Sequence, residues 1–345
     1  MKRFVNRHWA ALGCLALIAS GFCVARAQDA AAPAAKSLMA DGTGPYKVVI
    51  EGDPALPTHT IYRPADVKAV KGKLPIISWA NGGCANSSNG FRPFLSEIAS
   101  HGFLVVAIGP AASVVNAPPP QPAVAGAAGG PGAGRGPGGP GGPGGAGRGP
   151  GGPGGGGRGP STKSSQLLDG IAWATAENTR EGSPYKGKIA TNKVAVMGQS
   201  CGGLQALDVS TDPRVTTAVI LSGGIPDWSN AKGIAPGAPH VEKDVLKKQH
   251  GPIAYFFGGM GDIAYENCMD DFAHIMGVPA FAGSLSAALH AGTYAEPNGG
   301  AMGKAVVAWY EWQLQGKKDE KKMFVGAACE LCKNTDWKVQ QKDLK

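Results

Sequence analysis

The stretch Gly198-Gln199-Ser200-Cys201-Gly202-Gly203 sets a hydroxyl among small residues, directly after the apolar run Lys193-Val194-Ala195-Val196-Met197 and directly before a helical pattern. A serine on a tight strand-to-helix turn stands clear of the sheet, and glycines two positions before and after it let the backbone close that turn without a clash. In a chain with 54 glycines the Gly-x-Ser-x-Gly spacing alone is unspecific, so it is the strand before and the helix after that single out Ser200. The chemistry such a residue does is nucleophilic. Its hydroxyl attacks a carbonyl once an imidazole takes its proton and a carboxylate orients that imidazole.

On such a turn the partners follow in chain order, acid first and base second. His8, His59 and His101 precede Ser200, and His240 and His250 precede the apolar run 253–258. His274 sits inside the helical run 271–276, where a packing histidine belongs. His290 follows residues 284–289, read as the end of a final strand, and precedes the turn Ala291-Gly292-Thr293-Tyr294, so it is the expected base. Asp262, reached from the run 252–259 through a short glycine turn, is favoured as the acid over Asp227, which follows the preceding strand. Asp270 and Asp271 suit a helix start. For the negative oxygen of the reaction, one amide donor is expected from Cys201. The other is expected from the loop Asn81-Gly82-Gly83-Cys84, at Gly83 with Cys84 as neighbouring candidate, unless these glycines only make a tight turn. Trp228 and Tyr265 are candidates to line a substrate, and each would also suit a core. No cofactor or metal is expected: Cys329-Glu330-Leu331-Cys332 has the spacing of a zinc half-site, but no second pair or nearby His completes four ligands.

The elements that must position these groups read as one alternation. Strands are predicted at 47–51, 59–63, 74–80, 103–109, 194–198, 216–222 and 253–258, several of them continuous Val/Ile/Ala/Phe runs suited to burial on both faces. Helical spacing covers 90–100, 165–178, 200–209 and 299–314. Two early strands of hairpin character followed by strand-helix repeats predict the α/β class, with a mostly parallel central sheet and helices on both faces. The connection 224–251 is too short for a large cap domain. Residues 28–345 are expected to form one domain, ending in a charged, solvated tail at 315–345.

That domain is expected to be interrupted at about 111–160, where the sequence becomes almost wholly Gly, Pro and Ala from Ala117 to Pro160. Such a segment lacks the apolar side chains to bury a core, and Ala133 and Ala146 break any collagen-like register. It reads as a disordered surface insertion kept solvated by Arg135, Arg148 and Arg158, with binding of an anionic wall polymer or RNA as the alternative. At the start, Lys2, Arg3 and Arg7 lead into an apolar stretch and the small-residue site Ala25-Arg26-Ala27, which reads as a signal peptide spanning 1–27. The apolar stretch is shorter than the ~20 residues that cross a bilayer. The mature chain is therefore expected to be secreted or periplasmic, with no membrane part. Losing Lys2, Arg3, Arg7 and Arg26 halves the formal charge of +8, and the tail lysines alternate with acids, so no nucleic-acid partner is expected. Cys14 and Cys23 leave with the leader. Cys84, Cys201, Cys268, Cys329 and Cys332 remain in an oxidising compartment, an odd number that leaves at least one unpaired. Cys329 and Cys332 are expected to form a local disulfide, or one of them to reach Cys268. Cys84 and Cys201 flank the nucleophile and can bridge if their α-carbons come within ~7 Å; otherwise they pack as small apolar residues.

At these residues the sequence resembles the α/β-hydrolase superfamily, and within it secreted bacterial and fungal esterases similar to dienelactone hydrolases and polyester hydrolases. The resemblance rests on the stretches 77–84, 97–103, the serine turn, 258–265, and His290 with 309–314, and covers about 41–331 apart from the insertion. It differs in two places: dienelactone hydrolases proper carry Cys where Ser200 stands, and Asn81 replaces the His of lipase-type oxyanion motifs. The resemblance implies the α/β-hydrolase fold and cleavage of a small-molecule or polymeric ester through an acyl-enzyme. Two other readings stand beside it: a non-catalytic envelope or binding protein on the same scaffold, and a serine peptidase of the same fold.

Overall fold

The computed structural model describes residues 37–121, 161–230 and 234–345. The expected leader and most of the expected insertion lie outside these residues. Ten strands make one sheet: β1 (Leu38–Ala40), β2 (Val48–Glu51), β3 (His59–Pro64), β4 (Leu74–Ala80), β5 (Leu104–Ile108), β6 (Ile189–Gln199), β7 (Thr217–Leu221), β8 (Ile253–Gly258), β9 (Ala280–Leu285) and β10 (Trp337–Lys342). Their spatial order is β1-β2-β3-β5-β4-β6-β7-β8-β9-β10. The run from β5 to β9 is parallel, while β1, β2 and β3 enter and β10 returns antiparallel. The protein is thus of the α/β class with a mostly parallel sheet.

The helices are α1 (Arg92–Ser100), α2 (Ala112–Val115), α3 (Ser165–Glu177), α4 (Cys201–Val209), α5 (Tyr265–His274), α6 (Gly300–Gln313) and α7 (Glu330–Lys333). Alternating strand residues feed two cores, as the two-residue period of a strand requires. Ile76, Val194, Val196, Ile220 and Tyr255 join Leu167 and Ile171 of α3, Leu204 of α4 and Phe272 of α5. Ile77, Ala195, Met197, Leu221 and Phe256 join Phe94 and Ile98 of α1 and Met302, Val306 and Trp309 of α6. Both faces are covered, which is why these strands read as unbroken apolar runs.

Three expectations change. The strand before His290 is β9, ending at Leu285, so 286–289 is a turn rather than strand. Gly283 inside β9 disguises it in the sequence, and a Cβ there would press on Phe281 at 2.8 Å and Trp337 at 3.2 Å. Nor is 315–345 a solvated tail. Phe324 is fully buried against Phe281, Trp309 and Phe256, and β10 pairs along the whole of β9. Lys342 of β10 donates to the carbonyls of Phe272, Ala273 and Ile275 at 2.6, 2.9 and 3.0 Å, capping the end of α5. The alternation Trp337-Lys338-Val339 is the half-buried pattern of an edge strand, and the lysines masked it. The first residues of the expected insertion are also ordered in form, as the short helix α2.

A charge cluster fastens α1 to α6. His101, at the end of α1, donates from Nδ1 to Glu311 at 2.9 Å and from Nε2 to Glu97 at 3.1 Å, which requires the doubly protonated ring. Burial disfavours that charge, but the hydrogen bonds and negative charges of Glu311 and Glu97 outweigh it and raise the pKa from 6.5 to about 9. Because the folded value lies above the unfolded one, the stabilisation is complete below pH 6.5 and is lost as pH rises through 9. The unfolding free energy from urea titrations should therefore fall between pH 6.5 and 9, by at most roughly 3 kcal/mol. His101→Gln should flatten that slope; an equally steep slope in the variant would assign it elsewhere.

Candidate active site

The chain leaves β4 toward β5 on one side and returns through α3 to β6 on the other, so β4 and β6 are neighbours whose following loops diverge over opposite faces. Ligand crevices of open α/β sheets form at such switch points, beyond the carboxyl ends of the strands. Ala80 pairs in register with Gly198, which brings the loop after β4 alongside Gln199 and Ser200.

Ser200 has φ 54° and ψ −119°, a conformation that costs a non-glycine residue on the order of 1–3 kcal/mol. Its surroundings over-determine it. A Cβ on Gly198 would lie 2.0 Å from the Gly202 carbonyl oxygen, and one on Gly202 would lie 2.2 Å from that of Ala80. The Ser200 amide donates to Leu221 at 2.8 Å, tying the turn to β7. The hydroxyl projects from this turn into hydrogen-bonding distance of His290 Nε2, at 2.8 Å.

His290 Nδ1 lies 2.7 Å from Asp262 Oδ1. With its proton on Nδ1, facing a carboxylate, the ring presents a lone pair at Nε2 to the Ser200 O–H. Asp262 is buried behind it and accepts from the amides of Gly258 and Ala264, each at 2.9 Å. Burial pushes its pKa up, but bonding to His290 and the Ala264 amide, with the Ser222 hydroxyl beside it, holds the carboxyl below its usual range. Ser222 Oγ and Tyr294 Oη are both buried here without an aligned hydrogen-bond partner. The acid and base loops touch through Gly258 and Gly259, where any Cβ would come within 2.5 Å of the Ala288 or Ser286 carbonyl oxygen.

The loop after β4 is a 3-10 turn, Gly82–Cys84, with Gly83 at φ 63° and Cys84 at φ 47°. The first amides of such a turn, at Gly82 and Gly83, have no acceptor within it, and the same holds for Cys201 at the start of α4. Cys84 and Cys201 form a disulfide with α-carbons 5.2 Å apart, so the loop is bonded to the residue after Ser200. Cys329 and Cys332 form the second, local disulfide, and Cys268 is free and buried rather than bridged.

Other candidates fall elsewhere. Asp227 is exposed and bonded to Ser229. Asp271 lies in the second half of α5 and accepts from the Ile225 amide at 2.9 Å and Lys243 at 2.7 Å. Burial raises its pKa to about 6. Asp270 pairs with Lys243, and His274 is half exposed, with Nδ1 bonded to the Asp270 carbonyl. Trp228 is occupied within its own connection, stacked on His240 at 4.4 Å and donating to the Val241 carbonyl at 2.7 Å. Tyr265 packs edge-on against Phe257 and lines a cavity of about 580 Å³ between α5, β9 and β10. Both aromatics thus have packing partners of their own.

Three residues given no role in the sequence reading hold the site. Gln199 fills the space above Gly82, where a Cβ would meet its Oε1 at 2.0 Å, and donates to the His290 carbonyl at 2.9 Å. Asn81 accepts from Trp79 and donates to the carbonyls of Ala85 and Ile108 at 2.9 and 2.7 Å, anchoring the loop from beneath. Thr162 donates through its amide and hydroxyl to the Cys84 carbonyl at 3.2 and 3.1 Å, and is itself held by buried Gln205. Only Gln199 carried a signal, as the variable residue of Gly-x-Ser. Among the described residues no cluster of three or more His, Cys, Asp or Glu could hold a metal ion, and no helix is long and apolar enough to cross a membrane. No protein-family model and no curated protein matches the chain, so what this site does has to be argued from its geometry.

Proposed function

We propose that the protein is a serine hydrolase of the α/β-hydrolase fold that cleaves carboxylic esters through an acyl-enzyme, and that it works outside the cytoplasm. The observation that carries the reading is the continuous chain from Ser200 Oγ to His290 Nε2 at 2.8 Å and from His290 Nδ1 to Asp262 at 2.7 Å, on a backbone strained to present the hydroxyl. Satisfying a hydroxyl needs none of this strain, and strain of this kind collects at active sites. His290 takes the proton as Ser200 Oγ adds to the ester carbonyl, Asp262 steadies the imidazolium, and the amides of Gly83 and Cys201 receive the negative oxygen. Expulsion of the alcohol leaves an acyl-Ser200, which water, activated by the same histidine, releases as the acid. The two disulfides fit an oxidising compartment, as the leader expected at 1–27 does.

The test is labelling with a fluorophosphonate, followed by mapping of the modified peptide and assay on short p-nitrophenyl esters. Label on Ser200, with ester turnover abolished by it, is the expected result. Label on another residue, or turnover that survives complete modification of Ser200, would remove the proposal.

A further inference from the structure

The loops that carry the acid and the base are apolar where they meet solvent. Met260 is 87% exposed, Ile263 77% and Leu289 45%; the other large apolar side chains so exposed among the described residues, Met39 and Met276, lie elsewhere in the chain. Met260 and Ile263 flank Asp262, and Leu289 precedes His290. The two loops adjoin: the Gly259 amide donates to the Ala288 carbonyl at 2.9 Å, and a Cβ on Gly261 would lie 2.9 Å from Leu289 Cδ2, so the Leu289 side chain rests on the Gly261 backbone. Within 258–264 and 286–294 the ionisable side chains besides Tyr294, which is buried, are Asp262, also buried, and His290 itself. The exposed surface that these two loops contribute next to the acid and the base is therefore apolar and uncharged. Exposed apolar side chains gathered on adjoining loops in this way make a candidate binding surface.

The chemistry of the proposed reaction says which part of the substrate meets it. When the tetrahedral intermediate collapses, the bond from carbonyl carbon to alkoxy oxygen breaks. The proton on His290 Nε2 passes to that oxygen, the alcohol leaves, and the acyl group stays on Ser200 Oγ. The departing oxygen must then lie against His290, and the chain that extends from it leaves the site next to the loops that carry the acid and the base. The carbonyl oxygen points to the opposite side, at Gly83 and Cys201. We infer that Met260, Ile263 and Leu289 bind the alcohol portion of the ester, and that the preferred substrates carry an extended apolar alcohol group. This rests on the serine-hydrolase reading above.

Two ester series test it: acetates of primary alcohols of increasing length, and methyl esters of acids of increasing length. The expected result is that kcat/KM climbs about two- to fourfold for each of the first few methylenes on the alcohol side, and less on the acyl side. The triple change Met260→Gln, Ile263→Gln, Leu289→Gln should flatten the alcohol series more than the acyl series. Because these side chains are exposed, folding is checked by melting temperature and by fluorophosphonate labelling of Ser200. Product inhibition by free primary alcohols should strengthen with chain length in the wild type and lose that trend in the variant. A flat alcohol series in an enzyme that labels and turns over, a steeper acyl series, or an unaltered alcohol slope in the variant would each overturn the inference while leaving the hydrolase reading intact. Absence of both labelling and turnover in the wild type would take the two down together.

Discussion

Ser200→Ala should lower kcat on short esters by about 10⁶-fold, His290→Ala by a similar factor, and the double variant by hardly more than either. The near-equality follows from the geometry. The imidazole at 2.8 Å has no other proton to move, and the hydroxyl without it is an ordinary alcohol. Asp262→Asn should cost on the order of 10⁴, because an amide at that position favours the proton on the wrong ring nitrogen of His290. KM should change little in all of them, since none removes surface that holds the substrate. Single-turnover kinetics with p-nitrophenyl acetate separate acylation from release: Ser200→Ala should show no acylation, and the His290 and Asp262 variants should be slowed in both steps. Additive losses from Ser200 and His290 would mean that the two do not act as a unit, and the mechanism would have to be rebuilt around another base.

The parts of this site that are visible in the sequence are those that sterics or chain order dictate. Gly198 and Gly202 must be glycine because backbone oxygens lie where their Cβ atoms would be, so the serine turn can be read from spacing and setting alone. The glycine turn after β8 and the order of acid before base select Asp262 and His290, which are the residues the fold brings to Ser200. Reading fails where a residue's role depends on what arrives from a distance. Asn81 looks like a substitution in a loop until Trp79 and Ile108 are seen to use its side chain. Thr162 gains its role only because the chain returns beside Cys84 after residues 122–160. Trp228 and Tyr265 read as large aromatics that could line a substrate or a core, and nothing in the sequence reveals that His240 stacks on one and Phe257 meets the other edge-on. The same blindness hid β10, whose alternation is that of a strand and whose lysines are those of a tail. One of those lysines finds its partners on α5, some 70 residues away.

Breaking the bridge between Cys84 and Cys201 should reduce kcat on the order of 10²-fold with KM nearly unchanged, a loss of the size seen when one oxyanion donor is withdrawn. The reason is conformational. Cys84 is held at φ 47°, a left-handed backbone that costs an L-residue roughly 1–2 kcal/mol, next to Gly83, around whose missing side chain there is open space. Released from Cys201, the turn gains a reason to unwind at Cys84 and room to do so at Gly83, and the Gly83 amide is no longer held on the reacting oxygen. Thr162 and Gln199 still hold the two ends of the loop, which is why the loss should be partial. The bridge also closes a loop of 117 residues, so the double variant Cys84→Ala, Cys201→Ala should lose up to about 5 kcal/mol of stability by relaxing the unfolded chain. Activity and stability can be separated by assaying well below the melting transition and comparing the affinity of a trifluoromethyl ketone, which mimics the tetrahedral intermediate, with that of a substrate-like amide. Weaker ketone binding with amide binding unchanged is the signature of a displaced donor. The change Cys329→Ala, Cys332→Ala, which removes the other disulfide in the segment before β10, should leave both affinities as they are. If the ketone binds the bridge-free enzyme as tightly as the wild type, the disulfide stabilises the fold alone, and the loop after β4 finds its catalytic shape without it.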